Sequence, residues 1–148
     1  MHQSMYKIIC LLLLSSSIIA QNSSSMWGTL SMVTIEKEFD AEFGIETIKT
    51  DIGPLVQAMD GKDIELEGYI IPLTGQVEQN HFMFSRYPLN MCFFCGKAGP
   101  ESAAQVFLAN EKKVAYTSDK IKVSGRLKVY NDQSSGLIYT IEEGEIIN

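Results

Sequence analysis

The chain has 148 residues, 45% of them hydrophobic, with Lys+Arg 12 against Asp+Glu 18 and a formal net charge of −6. That length suits a single domain. The acid excess repels phosphate backbones and anionic lipid, which argues against a nucleic-acid or membrane-surface binder.

Residues 1–20 read as a secretory leader. Lys7 is the only charge, an apolar run follows over Ile8–Leu14, and Ala20 is a small residue suited to cleavage. The run is too short to span a bilayer. Cys10 stands at its start rather than after it, which is the wrong place for a lipid anchor. Without the leader, eleven basic residues remain against eighteen acidic ones, and Cys92, Cys95 and His81 are the only cysteines and histidine. Export, to the periplasm or beyond, would put the two cysteines where they can be oxidised together.

Residues 21–30 read as a polar linker and 31–148 as one β-barrel domain. Met32–Ile35 suits a strand, with Glu36–Asp40 an amphipathic continuation. Thr50–Gly61 has helix punctuation, with Pro54 in the first turn and Gly61 just past the end. Strands then dominate. Along 63–73, Ile64, Leu66, Gly68 and Ile70 share a face, and Gly68 marks a bulge or bend. In His81–Arg86, Phe82 and Phe84 oppose His81, Met83 and Ser85. Gln105–Ala109 is a further run. Lys120–Tyr130 alternates cleanly, with Ile121, Val123, Gly125, Leu127 and Val129 on one side. Leu137–Ile147 closes the series after a turn-rich 131–136. About five strands bent at glycines predict an all-β fold with one or two short helices: a small antiparallel barrel of the OB type. A β-sandwich would need more strands than the pattern supplies.

The chemistry gathers in Cys92-Phe-Phe-Cys95-Gly96. Two thiolates two residues apart can grip one tetrahedral ion, and the glycine lets the chain turn back over them. Zinc suits such donors and cuprous ion accepts them too. A protein-only zinc site needs more ligands, for which His81 and Glu101 are the candidates, or a two-fold dimer could bring two Cys92/Cys95 pairs together. The same spacing permits a short structural disulfide. A third reading is a thiol–disulfide oxidoreductase, but such sites open a helix inside a βαβ unit, and here Gly96-Lys97-Ala98-Gly99-Pro100 follows, with a helix expected only from Pro100 through Ala104. Each candidate also has a plain explanation. His81 can be an ordinary strand residue facing outward, and Glu101 is favoured by a first helical turn alone. Of Phe93 and Phe94, one should anchor the loop; the other is buried beside it or presented to a partner. No Ser-His-acid set and no phosphate-cradling loop occur, so no catalytic residue is assigned.

Several segments together resemble an uncharacterised family of exported bacterial OB-like barrel proteins. They are Trp27-Gly-Thr-Leu30, Asp60-Gly61-Lys62, Glu67 to Leu73, Phe82 to Pro88, Cys92 to Ser102 and Val123 to Leu127. The resemblance covers most of the chain beyond the leader, with the cysteine segment its most specific part. It implies the fold and export, and no established activity. The combined expectation is an exported binding or accessory module with a protein or small-molecule partner. Its leading form binds zinc through Cys92, Cys95, His81 and Glu101. Its alternative is a binding barrel stapled by a Cys92–Cys95 disulfide.

Overall fold

The computed structural model describes residues 23–130 and 137–147, with the side chains of 23–25 and 46–48 outside the description. The expected leader and the turn at 131–136 lie outside the described residues. Among the described residues, no helix is long and apolar enough to cross a membrane.

Two short helices, α1 (Ser23–Leu30) and α2 (Pro54–Gln57), flank a hairpin of β1 (Val33–Asp40) and β2 (Ile45–Ile52). The remaining strands are β3 (Asp63–Ile71), β4 (Glu78–Gln79), β5 (His81–Ser85), β6 (Ala103–Leu108), β7 (Val114–Ala115), β8 (Ile121–Val129) and β9 (Tyr139–Ile147). Five of them close a barrel in the order β3-β5-β6-β9-β8. The sequence expectation of an all-β barrel holds, but the barrel is mixed rather than antiparallel. After β6 the chain crosses to β8, which pairs antiparallel with β3. Next, β9 folds back antiparallel on β8 and fills the gap beside β6, so β6 and β9 must run parallel.

Gly68 is where the barrel turns its corner. Up to Gly68, β3 pairs with β8; from Tyr69 onward it pairs with β5. A Cβ at position 68 would land on the carbonyl of Ser85, so only glycine lets the two backbones approach this closely. The alternation read from the sequence is the inward face: Ile64, Leu66, Ile70, Phe82, Phe84, Val123 and Leu127 all lie in one core.

Two segments differ from expectation. Residues 21–30, read as a linker, contain α1, whose Met26, Trp27 and Leu30 belong to the barrel core. Trp27 is 2% exposed, stacks on Phe84 at 6.4 Å and donates its indole N–H to the Glu67 carbonyl at 2.9 Å. The Tyr139 hydroxyl donates to the Leu30 carbonyl at 2.6 Å, tying the helix to β9 as well. The short, Ser-rich helix has no long amphipathic stripe to announce it; its order comes from tertiary contacts. The helix expected to begin around Pro54 and end before Gly61 starts at Pro54 but is only Pro54–Gln57, and residues 58–61 form turns.

Candidate functional site

The segment between β5 and β6, residues 86–102, carries the cysteines across the outside of the barrel. It is pinned where it leaves and returns, since the Arg86 N–H donates to the Ser102 carbonyl at 2.9 Å. Two 3-10 turns, Leu89–Met91 and Phe93–Cys95, are joined by Cys92 in an extended conformation (φ −76°, ψ 171°). Gly96 ends the second turn at φ +69°, a conformation glycine adopts at little cost. The helix expected from Pro100 through Ala104 is only the 3-10 turn Pro100–Ser102. Ala103 and Ala104 instead pair with Ser85 and Phe84 as the start of β6.

Under this segment lies a second small core. Ile71, Met83, Cys92 and Ala103 are buried together, with Phe93 and Leu137 packed against them. Met83 and Ser85 sit on the face of β5 opposite Phe82 and Phe84, as the alternation predicts, yet both are buried because the loop covers them. Phe93 is therefore the loop's anchor. Phe94, edge-on to it at 5.2 Å, is 52% exposed.

The thiols are paired and unlike. Both are free, Cys92 fully buried and Cys95 exposed, with their sulfur atoms 4.0 Å apart. The Cys95 Sγ also donates to the Leu89 carbonyl at 3.0 Å. Desolvation, followed by its contact with Cys92, pushes the Cys95 thiol above the ordinary cysteine range, against a smaller opposing pull from Lys97. Near neutral pH this favours the protonated sulfur, the reverse of the activated thiolate that thiol oxidoreductases need.

The other two residues expected at the site lie elsewhere. His81, at the opposite end of β5 from the loop, stacks on Phe107 at 4.1 Å and meets the Gln105 side-chain oxygen through Nε2 at 3.0 Å. Glu101 folds against Gly99, and its charge falls on Tyr139. Its Oε2 is buried without a hydrogen-bond partner. Among the described residues, no three His, Cys, Asp or Glu side chains come together in a group that could hold a metal ion. The structure thus brings together Cys92 and Cys95 without gathering His81 and Glu101 to them.

A groove that the sequence did not announce runs beside the thiols. Its apolar part, about 430 Å³, is lined by Tyr69, Pro88, Leu89, Cys95 and Tyr116 among others. A neighbouring cavity of about 350 Å³ shares Tyr69 and Pro88 with it and is lined besides by Trp27, Glu67, Arg86, Tyr87 and Lys120; the two are taken together as the groove. Tyr69 is the outward residue of β3 between inward Gly68 and Ile70, so its side of the alternation was legible. Its apposition to Leu89 and Tyr116, from two separate loops, was not.

No family model matches the chain, and no curated protein matches it. Among solved structures, a DUF3299 family protein from Pseudomonas aeruginosa PAO1 is similar, at 22% sequence identity and a TM-score of 0.45, covering 64% of this chain and 67% of that one.

Proposed function

We propose that this protein is an exported binding module whose ligand occupies the groove beside Tyr69, and that Cys92 and Cys95 form a closable clasp on the loop that walls it. The observation that carries this reading is the unlike pair of sulfurs, 4.0 Å apart, one set in the second core and the other at the groove. A buried Cys92 is a fixed partner, and the exposed Cys95 is the sulfur an oxidant can reach. Closure is a thiol–disulfide exchange: the small thiolate fraction of Cys95, the sulfur a donor can reach, attacks an oxidised donor's disulfide, and Cys92 displaces the resulting mixed disulfide. The raised Cys95 thiol makes this a slow, one-time closure rather than rapid redox cycling. The two cysteines lose two electrons and two protons, and the donor leaves as two thiols. The bond would hold Leu89 and Pro88 in place as a groove wall.

A second reading keeps the same pair as a soft-metal grip, and one distance favours it. Two thiolates on a tetrahedral zinc, each at about 2.3 Å, stand ~3.8 Å apart, close to the separation seen here. The remaining ligands would have to come from outside this group, and full burial of Cys92 restricts their approach.

Purification without reductant separates the two. The clasp predicts no titratable thiol in the unfolded chain, a mass short of two hydrogens and no bound metal. One equivalent of zinc with both thiols recoverable after chelation would replace the clasp with the metal grip.

A further inference from the structure

We propose that the groove takes a small anionic amphiphile, its apolar body over Tyr69 toward Leu89 and Tyr116 and its anionic group at Arg86. This rests on the binding-module reading above and assigns its ligand a chemical class.

The argument begins with charge. In the polar part of the groove stand two cations and one carboxylate. Lys120 is paired with that carboxylate, Glu67, at 3.4 Å, which leaves the two nearly neutral together. Arg86 is half-buried and, among the described residues, pairs with no carboxylate. Its partners are the Ser31 hydroxyl at 3.3 Å and the face of Tyr87, with the guanidinium 5.5 Å from the ring centre. A guanidinium has five N–H donors in a planar fork suited to carboxylate, sulfonate or phosphate oxygens, and these partners leave most of them open. On a chain whose formal charge is −6, a local positive end to a groove is a selective feature.

Shape supplies the other half. Beyond Tyr69 the lining turns apolar, with Pro88 and Leu89 on one wall and Tyr116 on the other. Leu89 and Tyr116 are left close to half exposed, so each presents apolar surface to an occupant of the groove. The apolar part alone falls within the 300–1,000 Å³ typical of small-molecule sites. Arg86 and Leu89 are three residues apart on the same pinned loop, so the charged end and the apolar end are held in fixed relation. A ligand that is apolar at one end and anionic at the other satisfies both; a cation would meet Arg86 unfavourably.

The test uses two dyes of the same ring system: 8-anilinonaphthalene-1-sulfonate and its neutral counterpart N-phenyl-1-naphthylamine. Both are titrated by fluorescence into the whole purified protein. The expected result is saturable binding of the sulfonate about tenfold tighter than the neutral dye, the low end for hydrogen bonds to a charged group at a half-exposed site. Arg86→Gln should erase that preference and leave the neutral dye unaffected. Arg86→Lys should keep part of it, which guards against a variant that merely misfolds. Tyr116→Ala should weaken both dyes. Lys112→Gln, at an exposed ion pair that lines neither part of the groove, should change neither. Equal affinity for the two dyes, or a preference that survives Arg86→Gln, overturns the anionic assignment while leaving the groove reading intact. Failure of both dyes to saturate removes the anionic assignment and the groove reading together.

Discussion

Reduction of the clasp offers a prediction whose size follows from the chain. Linking Cys92 to Cys95 closes a loop of four residues, counting both ends. In the chain-entropy description this removes about 6 cal/mol/K from the unfolded ensemble, or ~2 kcal/mol at 25 °C. Unfolding entropy is ~2.1 cal/mol/K per residue near 60 °C, hence ~250 cal/mol/K for a domain of about 120 residues. Reductant should therefore lower Tm by ~8 °C, read by scanning fluorimetry with and without dithiothreitol. Cys95→Ser should melt near the reduced wild type and ignore reductant. Cys92→Ser should melt lower still, because its hydroxyl replaces a sulfur buried with Ile71, Met83 and Ala103. An unpaired buried hydroxyl costs a further ~1–3 kcal/mol. The ordering of the two variants tests the structure, and the reductant shift tests the clasp. A melting curve indifferent to reductant but lowered by a chelator would refute the disulfide and point to metal.

Other outcomes follow from the packing. Trp27→Ala should cost ~3–5 kcal/mol in urea unfolding, the range for emptying a buried aromatic site; a loss under 1 kcal/mol would mean that α1 is not part of the domain. Gly68→Ala should cost ~1–3 kcal/mol by forcing β3 away from the Ser85 carbonyl. The same substitution at exposed Gly75, where nothing lies in the path of a Cβ, should be nearly neutral. Burial, then the Glu101 carboxylate, raises the Tyr139 hydroxyl above its ordinary range. The folded state thus holds this proton more tightly than the unfolded chain. Its stabilising effect is complete below the unfolded tyrosine value of ~10 and is lost as pH climbs beyond it. Tyr139→Phe should be less stable than wild type at pH 8, for want of the bond to the Leu30 carbonyl, yet lose less stability between pH 9 and 11. Parallel pH profiles for the two proteins would contradict this.

Local pattern determined much of this protein. The period-two runs set which side of β3, β5 and β8 faces the core, because alternate side chains must point to opposite faces of a strand. Gly68 and the Cys-x-x-Cys spacing were legible for the same reason: each constrains only its immediate backbone. What tertiary structure alone decided were contacts between segments far apart in the chain. Nothing in Ser23–Leu30 by itself requires Trp27 to rest on Phe84, and nothing in Asp63–Gly68 names Ile121–Arg126 as its partner. The parallel pairing of β6 with β9 follows from where the closing strands leave a gap. The candidate site shows the same division. Adjacent positions brought the two sulfurs together, whereas His81 went to Phe107 and Gln105 and Glu101 to Gly99, because the direction of β5 and the return of the loop place them there. The groove belongs to tertiary structure entirely: Tyr69, Leu89 and Tyr116 come from three segments whose proximity only barrel closure and the covering loop create.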